Sequence, residues 1–202
     1  MKIFKVTPRG MGANGYVLTA DGKTAVVIDP FGRTILAKVV EQGLTVEYVL
    51  LTHCHFDHVE TCELLQKEGA KIVCLDKEKP NFGTFADLHK LFHAPEPNFT
   101  IDETVTDGET RTFCGIDVKV VATSGHTSGS VTYVVEDFGT THLFTGDTLF
   151  QGSVGRTDFP TGYMPDLAKS LKKLSKYDGV IHAGHGEDTT MEREIAENPY
   201  MR

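Results

Sequence analysis

Four side chains that commonly bind metal ions occur within six positions of the segment THCHFDH: His53, His55, Asp57 and His58. In an extended chain, residues two positions apart point to the same side, so the first two histidines can approach one cation together. Asp57 and His58 stand where the chain is predicted to turn into a helix, and the free N–H groups there favour a carboxylate. Because a single tetrahedral ion needs fewer ligands, the segment indicates two ions side by side.

Three further candidate ligands each follow a hydrophobic segment and a glycine. They are His126 in VVATSGHTSGS, Asp147 in HLFTGDTLF and His185 in GVIHAGHGE. The flanking glycines allow the backbone to turn sharply close to bound ions. The tally of five histidines and two aspartates suits two divalent ions with a bridging carboxylate and a bridging water. A hydrogen-bonded polar cluster is the alternative, but burying so many titratable groups without a cation would be unfavourable.

Cys54 lies between two of these candidate ligands, His53 and His55. Because side chains alternate along an extended strand, its thiol is predicted to point to the opposite face, where we interpret it as a packed side chain. The four cysteines include no C-x-x-C pair and match neither a zinc ribbon nor a disulfide framework. MKIFKVTPRG has no signal-peptide pattern, so we expect reduced thiols and a cytoplasmic protein.

The elements that must position the ligands alternate between strands and helices in the first half of the chain. An Asp-Gly pair that suits a tight two-residue turn predicts a hairpin, and a continuous apolar run before THCHFDH is typical of a strand buried on both faces. The predicted elements are strands over 15–20 and 24–30, a helix over 33–43, a strand over 46–52, a helix over 58–69 and a strand over 70–75.

Short strands dominate the second half: ETVT, ETRTFC, DVKVVAT, SVTYVVE, THLFTG and GVIHAG. Helices are predicted over 165–175 and near 191–197, and FADLHKLFH is consistent with a short helix. This order predicts an α/β protein with one core between two sheets and helices on the outer faces. We expect residues 1–202 to form a single domain.

The composition excludes several classes of function. The chain has 202 residues, 40% of them hydrophobic, and a formal net charge of -8. Nucleic-acid binding needs a basic surface, so nucleic acid is not an expected partner. No apolar run approaches the length of about 18 residues that a membrane span needs, so no membrane association is expected. A small anionic substrate held by one or two local cationic side chains stays compatible with this charge.

Four motifs in this order, THCHFDH, GHTSGS, GDTLF and AGHGE, resemble those of the metallo-β-lactamase superfamily. The segment GDTLFQGSVGRTDFPTG and the ending ENPYMR are similar to its glyoxalase II-like branch, which also includes persulfide dioxygenases. The resemblance runs from about residue 14 to the C-terminus. It implies a four-layer αββα sandwich with two mixed sheets and a metal site at one edge. It also implies a short form without the C-terminal helical domain that helps glyoxalase II enzymes to bind glutathione.

The same resemblance implies the distribution of the ligands over two metal ions. A first metal would be held by three histidines, a second by one aspartate and two histidines, and another aspartate would bridge them. The residues are, in that order, His53, His55 and His126; Asp57, His58 and His185; and Asp147. Asp57 and Asp147 are also predicted to act in catalysis. The family's usual residues are replaced at Glu60, Thr61 and Ser128, none of which is a ligand.

Three further residues have predicted roles around the ligands. Asp29 ends the strand over 24–30 and is expected to orient ligands, with a cap of the following helix as the alternative. Arg156 is the candidate anchor for a substrate carboxylate, with an ion pair to Asp158 as the alternative. His182 is expected to be a structural histidine, with support of His185, three positions later, as the alternative. Tyr163 and Lys90 are weaker candidates for substrate contacts.

The resemblance and the ligand chemistry together predict a metal-dependent hydrolase. A hydroxide that bridges two ions, Zn²⁺ foremost with Fe or Mn compatible, would attack the carbonyl of a small-molecule thioester such as an S-acylglutathione. The alternative is a persulfide dioxygenase-like oxidoreductase with one Fe(II) held by His53, His126 and Asp147. Metal content and oxygen consumption distinguish the two predictions.

Overall fold

The computed structural model describes residues 1–8, 10 and 12–202. Within this part of the chain, strands and helices alternate up to residue 75 and strands predominate afterwards, as the sequence predicts. The strands are β1 (Lys2–Val6), β2 (Gly15–Thr19), β3 (Thr24–Ile28), β4 (Thr45–Leu51), β5 (Lys71–Leu75), β6 (Glu103–Val105), β7 (Thr110–Phe113), β8 (Ile116–Ala122), β9 (Val131–Asp137), β10 (Thr140–Gly146), β11 (Leu149–Phe150), β12 (Ser153–Val154), β13 (Val180–Ala183) and β14 (Thr189–Thr190). The α-helices are α1 (Arg33–Glu41), α2 (Phe56–Val59), α3 (Cys62–Lys67), α4 (Met164–Leu174) and α5 (Met191–Glu197).

The first six strands form one mixed sheet in the order β1-β2-β3-β4-β5-β6. β1 to β3 pair antiparallel, whereas β3 to β6 pair parallel. The parallel neighbours need crossover connections, which α1 supplies between β3 and β4, and α2 with α3 between β4 and β5. β4 is therefore a central strand, and its apolar end leads directly into the histidine segment.

The second sheet has the order β14-β13-β10-β9-β8-β7. Its pairs are antiparallel except β10 with β13, which are parallel and joined by a connection that contains α4. Because β10 and β13 run in the same direction, their carboxyl ends open at the same edge of the sheet. Asp147 and His185 follow these two ends.

Three apolar layers separate four layers of secondary structure. The middle layer lies between the two sheets and contains Tyr16 and Leu50 of the first sheet and Tyr133 and Phe144 of the second. On the outer face of the first sheet, α1 and α3 pack through a second cluster. On the outer face of the second sheet, α4 and α5 pack through a third. The predicted αββα sandwich with two mixed sheets is confirmed.

Several local predictions differ from the structure. The helix predicted over 58–69 begins earlier, at Phe56, and is divided into α2 and α3. FADLHKLFH contains only a 3-10 turn, Phe85–Asp87, because Leu88 adopts a left-handed backbone with φ 66° that ends the turn. The connection between β2 and β3 is longer than two residues, and Asp21 closes it by accepting from the N–H groups of Lys23 and Thr24. The short strands β11, β12 and β14, and the first strand β1, were not predicted.

No helix among the described residues is both long and apolar enough to cross a membrane.

Candidate metal centre

The candidate ligands lie at the ends of strands from both sheets, along one edge of the sandwich. His53 and His55 follow β4, His126 lies between β8 and β9, Asp147 follows β10 and His185 follows β13. Gly146 makes the approach of the two sheets possible at this edge. Its φ is 49°, and a Cβ at this position would overlap the Thr52 side chain.

Three buried histidines, His53, His55 and His126, form the first group, which we call the three-histidine cluster. One ring nitrogen of each lies within 4.8 Å of the others. Nε2 of His126 is 2.9 Å from Nδ1 of His55, and the centroid of the His53 ring is 4.5 Å from that of His55 and 4.8 Å from that of His126. This is the set that the sequence resemblance assigns to one metal.

Asp57, His58 and His185 form the second group, which we call the carboxylate cluster. Oδ2 of Asp57 lies 3.3 Å from Nε2 of His185. Phe56 rather than Asp57 begins α2, so Asp57 and His58 both stand in its first turn, close to the predicted helix start. The structure therefore brings together the residues that the sequence assigns to the second metal.

The Asp147 carboxylate lies between the two clusters. Its Oδ1 is 3.3 Å from Nε2 of His58, whereas its Oδ2 is 3.5 Å from Nε2 of both His126 and His185. Oδ2 thus lies near one histidine of each cluster, and a carboxylate in this position is suited to bridge two cations. All seven predicted ligands are thus neighbours.

Asp29 fixes the orientation of two imidazoles. It is buried, and its Oδ2 lies 2.9 Å from Nδ1 of His58 and 2.6 Å from the Thr52 hydroxyl, which donates to it. The Thr52 oxygen also lies 3.1 Å from Nδ1 of His53 and can accept a hydrogen bond from it. In this arrangement both histidines carry the proton on Nδ1, so Nε2 of each presents a lone pair to the site.

A different acceptor orients His126. Its Nδ1 lies 2.7 Å from the backbone carbonyl of Arg156, which can only accept a hydrogen bond. His126 therefore carries its proton on Nδ1, and Nε2 is free to bind a cation. The loop after β12 thus contributes to the centre through its backbone.

Burial and charge act differently in the two clusters. Burial lowers the pKa of His53 well below its ordinary value and lowers that of His55 to about 3, so both imidazoles are neutral. Burial also disfavours charged His185, but hydrogen bonds to Asp147 and Asp57 raise its pKa to about 9. Burial also disfavours charged His58, but the negative charges of Asp147 and Asp29 raise its pKa well above the ordinary value. The carboxylate cluster therefore stabilises positive charge.

The residues present fit divalent metal ions. Four buried polar atoms have no hydrogen-bond partner among the described residues: Nε2 of His53, His55 and His58, and Oδ1 of Asp147. Unpaired buried polar atoms are unfavourable unless a ligand satisfies them. A mixed imidazole and carboxylate set suits Zn²⁺, Fe or Mn better than Ca²⁺ or Mg²⁺, which prefer oxygen ligands. The histidine-rich clusters are therefore suited to hold divalent metal ions.

Asp29 does not cap α1, which was the alternative interpretation. The N-cap position belongs to Gly32, and no side chain bonds to the helix start there. Both Asp29 oxygens face Thr52 and one also faces His58, as expected for a residue that orients ligands. Asp29 itself has a left-handed backbone with φ 50°, which turns the chain at the end of β3.

Arg156 lines the cleft in front of the centre, but its guanidinium has a partner. Nε and Nη2 each donate to Asp158 at 2.6 Å, which is the ion pair considered as the alternative to a substrate anchor. Among the described residues, neither Tyr163 nor Lys90 lines the cleft. Nδ1 of His182 lies 2.7 Å from Asp188 and its Nε2 lies 3.0 Å from Nδ1 of His142, so among the described residues both ring nitrogens have partners other than His185.

Cys54 is buried, and its Sγ lies 3.6 Å from the carbonyl of Ala86, which it donates to. Burial raises the pKa of its thiol well above the ordinary value, and Cys54 belongs to none of the candidate ligand groups among the described residues. Its backbone N–H donates at 2.9 Å to Glu78, a buried carboxylate that the sequence analysis missed. Thr52 was missed too, although its position directly before the histidine segment was a signal.

Comparison with known proteins places this arrangement in a family. The profile of the metallo-beta-lactamase superfamily matches residues 8–185. Hydroxyacylglutathione hydrolase GloC of Haemophilus influenzae is 34% identical over 194 residues, which cover 90% of this chain and 89% of that protein.

Two solved structures have the same fold over nearly the whole chain. The BLEG-1 B3 metallo-beta-lactamase is 28% identical, with a TM-score of 0.90 and coverage of 99% of both chains. TTHA1623, solved in a di-iron-bound form, is 28% identical, with a TM-score of 0.84 and coverage of 98% of this chain and 99% of that one. The match of the profile to most of the chain, together with these likenesses, shows that this protein belongs to the metallo-beta-lactamase superfamily.

Proposed function

We propose that the protein is a thioesterase of glyoxalase II type, which hydrolyses an acyl thiol such as an S-acylglutathione at a dinuclear metal centre. The observation that carries this proposal is the Asp147 carboxylate, which lies between the three-histidine cluster and the carboxylate cluster with one oxygen near His58 and the other near His126 and His185. The likeness to a hydroxyacylglutathione hydrolase supports the choice of a thioester.

The proposed ligands keep the assignment made from the sequence. His53, His55 and His126 would hold one ion, Asp57, His58 and His185 the other, and Asp147 both. When bound, the ions supply Lewis acidity and an activated water nucleophile at neutral pH. The chain's own contribution is to fix the imidazole tautomers through Asp29, Thr52 and the Arg156 carbonyl.

Asp57 is the proposed proton acceptor. Burial alone would raise its pKa, but His58 and His185 hold that pKa below the ordinary value, so the carboxylate is ionised at neutral pH. It lines the cleft, where it can accept the proton that the attacking water loses. A new bond then joins the water oxygen to the carbonyl carbon, the C–S bond breaks, and the departing thiolate receives the proton.

The experiment combines metal analysis with turnover. Protein loaded with Zn²⁺ or Fe(II) is assayed for thioester hydrolysis with and without oxygen, and its metal content is measured. We expect about two ions per chain and hydrolysis that does not depend on oxygen. Asp57→Asn should lower kcat by about 10²- to 10⁴-fold, whereas the exposed control Asp178→Asn should leave it unchanged.

A second candidate is the mononuclear Fe(II) oxidoreductase. The contact that favours it is the 3.5 Å distance from Oδ2 of Asp147 to Nε2 of His126, because with His53 these side chains form a two-histidine, one-carboxylate set. TTHA1623, which was solved with two irons, supports iron as a metal for such a fold. One bound iron with oxygen consumption and no thioester turnover would favour this candidate and contradict the hydrolase.

A further inference from the structure

The cleft in front of the candidate metal centre is walled by phenylalanine. It has a volume of about 410 Å³, and its lining includes Phe56, Phe92, Phe150 and Phe159 beside the candidate ligands. This volume lies towards the lower end of the range of about 300 to 1,000 Å³ that is usual for small-molecule sites. The cleft is therefore suited to a compact ligand with apolar groups.

Three of these rings form a continuous wall on the side of the three-histidine cluster. The centroids of Phe56 and Phe92 are 5.2 Å apart, and those of Phe92 and Phe159 are 6.0 Å apart. Phe159 in turn meets the His55 ring edge to face, at 5.8 Å. These spacings are typical of favourable aromatic contacts. The wall thus leads from the cleft mouth to a candidate ligand.

The fourth ring stands beside the carboxylate cluster. Phe150 meets His185 at 5.9 Å between centroids, nearly perpendicular to it. A carbonyl placed at the centre would therefore have aromatic rings beside both clusters. Both arms of the substrate would contact apolar surface.

The charges around the cleft disfavour an anionic arm. Arg156 is the only Lys or Arg among the described residues that line the cleft, and its guanidinium pairs with Asp158 while stacking 3.9 Å from the Phe159 ring centre. Beyond Phe56, an adjoining cavity of about 270 Å³ is lined by Glu60, Glu63 and Glu96 and by no described Lys or Arg. Glu63 pairs with Lys67, so the charges of Glu60 and Glu96 are the ones that would repel a substrate carboxylate there.

We propose that the preferred substrate is a compact thioester with uncharged, apolar arms, at least one of them aromatic and seated against Phe92 and Phe159. The inference rests on the proposed thioesterase function and narrows its substrate class, from acyl thiols that include S-acylglutathione to acyl thiols with an uncharged carrier. A phenyl group on the acyl arm would bury apolar surface against the wall and gain edge-to-face contacts. A carrier with free carboxylates would gain neither apolar burial nor edge-to-face contacts with the rings.

Two matched pairs of substrates test the proposal. The first compares phenylacetyl with acetyl on the same uncharged thiol, N-acetylcysteamine. We expect kcat/KM to be about tenfold higher for phenylacetyl, a typical effect of burying one aromatic group. The second compares the lactoyl thioesters of N-acetylcysteamine and glutathione, and the neutral carrier should be at least as good. Equal rates for the first pair, or a clear advantage of glutathione in the second, would overturn the proposal.

A variant pair identifies the wall as the cause. Phe92→Ala should remove most of the preference by raising KM for the phenylacetyl thioester, whereas Phe85→Ala should leave the turnover of both thioesters within about twofold of wild type. Its control is Phe85→Ala, because Phe85 is on the same loop and 58% exposed, compared with 48% for Phe92, but does not line the cleft. If Phe92→Ala keeps the full phenylacetyl preference, the wall does not select the substrate.

A binding measurement separates this inference from the proposed function. Ketone analogues with CH₂ in place of sulfur cannot be hydrolysed, and calorimetry should show about tenfold tighter binding of the phenyl analogue than of the methyl analogue. If acetyl and phenylacetyl thioesters are hydrolysed equally and both analogues bind alike, the inference fails and the thioesterase stands. If no thioester is hydrolysed, the proposed function fails and the inference with it.

Discussion

Oδ2 of Asp29 lies 2.9 Å from Nδ1 of His58, and both residues are buried. The same oxygen accepts from Thr52, whose hydroxyl oxygen faces Nδ1 of His53 at 3.1 Å. One carboxylate thereby fixes an imidazole in the three-histidine cluster and another in the carboxylate cluster. The Asp29 carboxylate therefore fixes the two clusters of the candidate centre relative to each other before any ion binds.

Replacing Asp29 by Asn should weaken metal binding while the fold persists. The amide nitrogen cannot accept from Nδ1 of His58, so the imidazole loses the partner that fixes its tautomer. We expect affinity to fall by about 10- to 100-fold, the usual effect of removing such a partner. Competition with a chromophoric chelator measures it. Thr52→Ala should lower metal affinity less, and Thr52→Ser should leave it unchanged. A metal affinity within twofold of wild type in Asp29→Asn would contradict the role of Asp29.

Counting bound ions tests the division into two clusters. His126→Ala removes a nitrogen from the three-histidine cluster, and His185→Ala removes one from the carboxylate cluster. We expect each variant to retain about one ion instead of about two, because the other cluster keeps its ligands. Plasma mass spectrometry of the purified protein gives the count, with exposed His93→Ala as the control. Retention of both ions in His126→Ala would show that this histidine is not a ligand.

The places of the candidate ligands in the fold were predictable because their signals are local. Two local features indicate strand ends that carry polar residues. They are the two-residue spacing of His53 and His55 and the glycines before Asp147 and His185. The apolar run of β4 and the periodicity of α4 likewise predicted the layers that bring those ends together. These features need no knowledge of which distant residues pack against them.

The residues that support the ligands were harder to predict, because tertiary packing places them. Glu78 lies 24 residues from Cys54, and nothing in the local pattern indicates that they meet. Phe92 belongs to a segment whose helical periodicity was misleading, since Leu88 takes a left-handed backbone and directs the chain over the cleft. The break between α2 and α3 was missed because the amphipathic pattern continues through it.

Removing the Glu78 side chain should destabilise the loop that carries His53 and His55. Glu78 is fully buried, accepts from the backbone N–H of Cys54 at 2.9 Å and from Asn81 at 2.7 Å. Glu78→Ala leaves that N–H without an acceptor, so we expect the free energy of unfolding to fall by about 1–3 kcal/mol.

Urea unfolding of the metal-free protein measures the effect of Glu78→Ala. Glu78→Gln keeps an acceptor for the N–H of Cys54 and should lose less. Glu68→Ala, at an exposed position after α3, is the matched control. Equal stability of Glu78→Ala and Glu68→Ala would contradict the supporting role.

Asp188 should contribute stability that depends on pH. Burial alone would raise its pKa, but hydrogen bonds to His182 at 2.7 Å and an ion pair with Lys5 at 2.9 Å hold the pKa below its ordinary value. A carboxyl group with a depressed folded-state pKa stabilises the fold above its unfolded value of about 3.9. That contribution disappears as the pH falls through the folded-state pKa.

Asp188→Asn should therefore be less stable than wild type at pH 7, by on the order of 1 kcal/mol. The difference should shrink as the pH falls below about 4. Unfolding free energies at a series of pH values measure it, with Glu187→Gln as the exposed neighbouring control. A difference that stays constant across this range would show that charge on Asp188 is not the cause.

Alanine at position 184 should disturb the candidate metal centre, because the added Cβ would be too close to Asp147, His58 and the backbone of Gly146. A Cβ on Gly184 would overlap Oδ1 of Asp147 and lie 2.9 Å from Cε1 of His58, so the carboxylate between the clusters must move. Gly186 provides a contrast two residues away, because a Cβ there meets open space although its φ is 76°. Gly184→Ala should lower metal affinity at least about tenfold, since ligand geometry is lost. Gly186→Ala should keep the metal affinity and lose about 1–2 kcal/mol of stability, because alanine is strained in the left-handed backbone. Equal metal affinity in the two variants would mean that the position of the Asp147 carboxylate does not control metal binding.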